Sequence, residues 1–393
     1  MKYVITLITL VILIGCSKKE DVNLNYETKV KDGVENIINE NRPSVLVEDL
    51  KINLKKSFVI NGMDILDVEK SYFTKPKYFT VDSKDNIFIF DEDKQKIHKF
   101  NNTGKHIYSF AGKGTGPGEF TSVMGLTCLN DTILAFDTPV RKLNRFDTEG
   151  KFYRTSIMSS KASLFNKLFV ANNKIWCHRL STQRVNDDFM VYKLVEVRDD
   201  HFNIITLIDS ASTDYYSFTI KNELSITKAI AVSKSHVYSV NKGDYFIFKI
   251  DVLDEMGALQ KVIRKKFARI KISEKEKVIN VKEMQSKGFL ETEEDIEDYL
   301  KVLDYKPAIN WIYVDKYERL WVNESRHIEN PDDNRIKFSI FKDGIYLNSV
   351  LLDFDVTEPN FINDVQYGND LVFTNGKIYA MNTRENRITV YEY

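Results

Sequence analysis

The sequence predicts an all-β fold, a six-bladed β-propeller of four-stranded antiparallel blades, and three observations carry that reading. A residue pattern repeats at a blade-sized interval. Short runs rich in β-branched and aromatic residues alternate with tight-turn sequences. One N-terminal apolar stretch lies outside the repeats, where a ring needs a strand to close its last blade.

The repeat is explicit between residues 90 and 151. Phe90-Asp91, Ile97, Lys99-Phe100-Asn101 and Gly104-Lys105 return 46 residues later as Phe136-Asp137, Leu143, Arg145-Phe146-Asp147 and Gly150-Lys151. The spacing recurs without its Gly-Lys end at Asn241, Ile247, Ile250 and at Asn382, Ile388, Tyr391. A period between about 20 and 50 residues marks stacked supersecondary units. Within one copy, Tyr78 to Val81, Ile87 to Phe90, Ile97 to Phe100 and Ile107 to Phe110 read as strands, separated by turns such as Asp82-Ser83-Lys84-Asp85-Asn86. Such a four-stranded sheet cannot cover both of its apolar faces alone, so copies must stack, and radial stacking closes into a propeller. Six units fall near 76–111, 123–157, 165–208, 228–268, 308–353 and 361–393. The last reaches the C-terminal Tyr393, and Leu46 to Ile60, with Ile52, Leu54, Phe58 and Ile60 largely alternating, is the candidate closing strand.

One stretch, 273–305, breaks the pattern. Ser273-Glu274-Lys275-Glu276 has capping-box form, followed at helical spacing by Val278, Val281 and Met284. Thr292 to Asp295 repeats the form ahead of an Ile296, Tyr299, Leu300, Leu303 stripe. A helical hairpin inserted between blades, bracing the ring, is expected.

The address is written at the N-terminus. Lys2 and the apolar run Tyr3 to Ile14 have the order of a secretory signal, and the run is too short to span a bilayer. Leu13-Ile14-Gly15-Cys16 resembles a bacterial lipobox, which implies residues 1–15 as signal peptide and Cys16 as the lipidated first residue of an outer-membrane lipoprotein, at the cell surface or the periplasmic face. Polar residues 16–43 read as a flexible tether and 44–393 as the propeller.

Composition narrows the partners. The chain of 393 residues is 43% hydrophobic and 29% charged, with 16 Gly and 7 Pro, which excludes collagen-like and Pro/Gly-rich disordered classes. Its 56 Lys+Arg against 57 Asp+Glu leave a net charge of −1 and no basic footprint for nucleic acid. Cys128 and Cys177 sit in apolar strand contexts and read as free buried thiols. No CxxC or Cys/His spacing exists and the six His are scattered, so neither metal nor cofactor is expected.

The segment Gly112-Lys113-Gly114-Thr115-Gly116-Pro117-Gly118-Glu119-Phe120 resembles a signature of the six-bladed β-propeller lipoproteins of Bacteroidetes, relatives of NHL-repeat propellers. Val314-Asp315-Lys316-Tyr317-Glu318-Arg319-Leu320-Trp321-Val322 resembles that family's blade turn, with Tyr317-Glu318 where the family often has an acidic residue and Gly. The resemblance implies fold and address and assigns no general catalytic residues. A phosphate-loop reading of the glycine segment fails, because Pro117 has no N–H to offer and no helix follows.

Strand alternation places second-to-third-strand loops and blade crossings on one face. That face collects basic side chains, among them Arg141, Arg184, Arg326, His327, Arg335 and Arg384, and guanidinium groups there suit carboxylates or sulfates. Asp91, Asp137, Asn241 and Asn382 recur at strand ends, and a residue repeated in every blade reads as a turn cap rather than a catalytic acid. Trp176, were it exposed, suits stacking on a sugar. The functional expectation is a non-catalytic module that binds an envelope protein, glycan or peptide, in connection with nutrient uptake. The alternatives are a metal-dependent lactonase- or lyase-like enzyme with its site in the channel, and a purely structural subunit of an envelope complex.

Overall fold

In the computed structural model, residues 25–44, 52–63, 72–137, 139–157, 163–171, 173–185, 188–214, 229–241, 244, 246–286, 288, 290–327, 333, 335–356 and 371–393 are described. The signal peptide and Cys16 lie outside them.

Among the described residues six sheets of four or more strands follow the order of the repeats, and a two-stranded parallel pair, Gly112–Lys113 with Glu119–Phe120, lies in the first crossing. Blade 1 runs Pro76–Val81, Ile87–Asp91, Lys96–Phe100 and His106–Phe110. Blade 2 is Val123–Leu129, Thr132–Asp137, Lys142–Asp147 and Phe152–Ile157. Blade 3 has longer strands, Ser163–Ala171, Lys174–Val185, Asp188–Arg198 and Ile204–Asp214. Blade 4 is Ala229–Val232, Val237–Val240, Lys249–Leu253 and Leu259–Lys265. Blade 5 is Ile309–Val314, Leu320–Glu324, Ile336–Lys342 and Ile345–Leu352. Blade 6 contributes Leu371–Thr374, Lys377–Asn382 and Arg387–Glu392.

The strand β3, Lys55–Asn61, completes blade 6 from the N-terminal side. It pairs antiparallel with the C-terminal strand from Asn61↔Arg387 to Lys55↔Glu392. The two ends of the propeller thus share one ladder, and the last blade keeps no missing strand.

The expectation of a tether through residue 43 needs correcting. Tyr26–Lys31 (β1) and Val34–Asn39 (β2) form a hairpin, and β2 adds in parallel to the outer strand of blade 4. The cause is local chemistry that a polar average hides. Ile37 is buried, and Asn39 donates to Arg264 O at 3.0 Å and Gly344 O at 2.9 Å while accepting from Tyr346 N–H at 2.8 Å. One side chain therefore stitches blades 4 and 5, and a buried Asn so satisfied costs little.

The turns follow from Asx chemistry. Asn101 Oδ1 accepts from Thr103 N–H and Lys105 N–H, and Asp147 Oδ1 accepts from Glu149 N–H and Lys151 N–H. The glycines of these Gly-Lys ends, Gly104 and Gly150, stand at φ +83° and +74°, which explains the repeat's last element. At the corresponding kind of turn in blade 5, Glu318 occupies φ +57°, where the resembling family often has Gly.

The helical insertion is present as α1, Glu274–Ser286, and α2, Glu293–Val302. Both capping boxes form: Glu276 Oε2 accepts from Ser273 N–H at 2.9 Å, and Thr292 and Asp295 exchange bonds. Tyr299, Leu303, Met284, Leu290 and Ile272 make a small core of their own. Val278, expected on the apolar stripe of α1, is exposed instead.

Candidate functional site

The central channel is the first place to look for chemistry. Its cavity, about 260 Å³, is bordered by the inner strands of all six blades, including Tyr78, Thr80, Leu126, Val170, Ile230, Trp311, Tyr313 and Phe373. Among the described residues that line it, none is a carboxylate or a histidine. Among the described residues no group of three or more His, Cys, Asp and Glu is placed to hold a metal ion. The free thiols are poorly suited to nucleophilic work, because burial pushes both Cys128 and Cys177 up to about 12.

The glycine segment is an inter-blade crossing with an internal lock. Gly116 N–H donates to Glu119 Oε2 at 2.8 Å, and Lys142 Nζ donates to Gly116 O at 3.0 Å. A Cβ at Gly114 would collide with Glu119 Oε2, so the Glu119 carboxylate packs directly against the glycine backbone.

The recurring strand-end acids are structural. Asp91 accepts from the N–H groups of Thr74 (3.0 Å), Lys75 (3.2 Å) and Asp93 (3.0 Å). Asp137 accepts from Thr121 N–H at 2.7 Å, Thr121 Oγ1 at 2.7 Å and Ser122 N–H at 3.1 Å. Each caps the crossing that enters its own blade. Trp176 is fully buried, packed against Val197, Ile230 and Val237, and offers no face to a sugar.

The basic face divides. Arg326, His327 and Arg335 converge on one cavity of about 610 Å³ at the rim of blade 5, together with Asp333, Lys337, Ser349, Val350 and Leu351. Arg141 lies on blade 2 in a turn at φ +52°, Arg184 stands opposite Phe189 on blade 3, and Arg384 is exposed in the blade 6 turn. These three do not join the cavity.

The cavity is built from the backbone outward. Arg326 donates from Nε to Arg335 O at 3.0 Å and from Nη2 to Asp333 O at 2.7 Å, closing the long second-to-third-strand loop on itself. Behind it, the buried Lys306 ammonium bonds Arg326 O at 3.1 Å and pairs with Glu276 Oε1 of α1 at 2.5 Å. The helical insertion thereby fixes the loop from below. Asp333 meets Arg326 Nη1 at 3.0 Å and takes both arms of Arg335, Nε at 2.8 Å and Nη2 at 3.0 Å. Its bond to Arg335, with the charge of Arg326, holds its carboxyl well below the usual carboxylate range.

Lys337 joins the cavity to a buried ion network. Its Nζ lies 2.9 Å from Glu324 Oε1, and Glu324 Oε2 lies 2.5 Å from Lys265 Nζ of blade 4. Burial would raise the Glu324 carboxyl, but the Lys265 and Lys337 ammoniums win and hold it low. Lys265 is shifted down by burial, against the pull of Glu324. Sequence reasoning missed Lys337, Lys306 and Asp333. Lys337 carries a usable signal, since it is a cation on a strand otherwise apolar at its start, directly after the basic loop.

Comparison with known proteins supports the architecture. A family model described as a 6-bladed beta-propeller matches residues 78–197. Among solved structures, a member of the DUF4221 family from Bacteroides vulgatus is 11% identical, with 86% of this chain and 97% of that one covered and a TM-score of 0.50. A putative exported protein from Bacteroides fragilis is 13% identical, covering 91% and 98%, at TM-score 0.46. Virginiamycin B lyase from Staphylococcus aureus is 13% identical, covering 87% and 100%, at TM-score 0.43. No curated protein matches. The family model and the described strands agree on one conclusion about this chain, that it is a six-bladed β-propeller of mainly four-stranded antiparallel sheets.

Proposed function

We propose that this protein is a lipid-anchored binding module of the cell envelope, without catalytic chemistry of its own, that takes an anionic ligand in the rim cavity of blade 5. The observation that carries the reading is the meeting of Arg326, His327, Arg335 and Lys337 in one cavity. Binding groups on loops of a rigid ring are held in register by the scaffold, and paired guanidinium groups suit acidic sugars, acidic peptides or the acidic surface of an envelope protein. The anchor rests on Leu13-Ile14-Gly15-Cys16, and uptake of glycans or peptides is a role that suits a receptor so held.

The test is a titration of the full chain, purified in detergent, with acidic and neutral oligosaccharides and peptides. Saturable binding of acidic members, lost in Arg326→Gln, is the expected result. Stoichiometric divalent metal in the purified protein, with no anion binding, would turn the reading toward the enzymatic alternative. Mass spectrometry of the N-terminal peptide tests the anchor through the added mass on Cys16.

A further inference from the structure

We infer that the Asp333 carboxylate is an internal tenant of the blade 5 clamp, standing where a ligand carboxylate binds and leaving when one arrives. The inference rests on the binding reading above and deepens it, because it names the ligand's chemistry.

Three features support displacement over simple stapling. First, the contact has the form of recognition: Arg335 meets Asp333 with two parallel bonds, one to each oxygen, the planar fork that guanidinium groups make with carboxylates. Second, the Arg326 arm of the clamp does not depend on its tenant, although Asp333 Oδ1 also accepts from Arg335 N–H at 3.2 Å. Arg326 is held by two loop carbonyls, Arg335 O and Asp333 O, and its own carbonyl is held by Lys306. Removing the Asp333 side chain leaves those bonds in place. Third, among the described residues that line the cavity Asp333 is the one carboxylate, and Arg326 and Arg335 share it, with the exposed His327 alongside and Lys337 already paired to Glu324. Arg335 is half exposed, so its fork is within reach of solvent and of an incoming ligand.

A second carboxylate can therefore compete for the same fork, with apolar contact available from Val350 and Leu351 on the cavity wall. The intrinsic affinity of the clamp is masked by the fraction of time that Asp333 occupies it. Freeing the clamp should reveal that affinity.

The experiment compares the full-length protein with Asp333→Ala and Asp333→Asn by calorimetric titration. The probes are trigalacturonate, a triglutamate peptide and inorganic sulfate, and all variants are checked for native near-ultraviolet dichroism. Asn keeps the side chain's volume and removes its charge, so it covers the case in which Ala lets the loop collapse. Both variants should bind at least one carboxylate probe at least about tenfold more tightly than the parent, the change expected from releasing a charge-assisted contact. Arg335→Ala on the Asp333→Ala background should abolish the gain. The two carboxylate arms distinguish a sugar from a peptide source. Unchanged or weaker affinity in both folded variants overturns the tenant, and an equal gain for sulfate overturns the carboxylate assignment. If parent and variants alike bind no anion, the binding reading falls with it; if the parent binds and the variants do not tighten, the tenant alone falls.

Discussion

One ladder position carries a different acid in blades 1 and 2 than in blade 5, and the difference shows how a repeated position changes its partners. Asp91 pairs with Pro76, Asp137 with Val123 and Glu324 with Ile309, in each case just before a bulge in the inner strand. In blades 1 and 2 the short acid turns back onto the N–H groups of its own crossing. In blade 5 the acid is one methylene longer and turns outward, to Lys265 of the neighbouring blade and to Lys337 of the cavity. Blade 3 carries Arg179 at this position, opposite Phe165, and Arg179 pairs with the buried Glu196 at 2.6 Å. The position tolerates different chemistry provided that every buried charge finds a partner.

The largest effect should come from breaking the blade 5 arrangement. Glu324→Gln leaves the buried Lys265 ammonium without its counter-charge, and loss of one partner of a buried pair costs about 3–5 kcal/mol. Chemical denaturation should register it, and Glu324→Met with Lys265→Met should recover most of the loss. A double variant no better than Glu324→Gln would show that the ammonium is not the source of the cost. In blade 2, Asp137→Ala orphans the Thr121 and Ser122 amides. Charge-assisted bonds contribute about 1.5–3 kcal/mol each and are not additive, so a loss of about 2–4 kcal/mol is expected from the same measurement. Asp137→Glu should not rescue it, since the longer acid overshoots those amides.

How much of this was legible follows the same division. Local periodicity carried the ring, because Phe90-Asp91 and Phe136-Asp137 each report a strand, its turn and its cap within a few residues. The closing strand was legible for a similar reason: Phe58 and Ile60 alternate, and both pack in the final seam. The β1–β2 hairpin was not, because its warrant is a partner more than two hundred residues away, Asn39 on Arg264. The site was half legible. Arg326, His327 and Arg335 share one loop and so were found together, whereas Lys337 and Lys306 enter through strand direction and a helical insertion. Arg141, Arg184 and Arg384 share a face with them but sit on other blades, and a face is much larger than a site.

Acid should expose a further contrast between the blades. Burial pushes His98 of blade 1 down to about 4, with Asp91 opposing and His106, Lys94 and Lys96 reinforcing. The unfolded chain takes up this proton near pH 6.5 and the folded chain only near 4, so stability falls as pH drops through that window. The loss reaches about 3 kcal/mol at its lower end. Melting curves from pH 7 to pH 4 should show this slope, and His98→Gln should flatten it. A variant with the parental slope would place the titration elsewhere.

The smallest stability effect belongs to the most prominent group in the cavity. Arg335 is half exposed and its pair with Asp333 is open to water and salt, so truncating it removes an interaction that solvent largely replaces. Arg335→Ala should leave the melting temperature unchanged and weaken binding of acidic ligands. Glu324→Gln, by contrast, should lower both, because Glu324 holds Lys337 at the cavity while supporting the seam with blade 4. If Arg335→Ala unfolded the blade, the rim pair would be part of the architecture. If it melted normally and bound as tightly as the parent, blade 5 would differ from blades 1 and 2 in how it packs and not in what it holds.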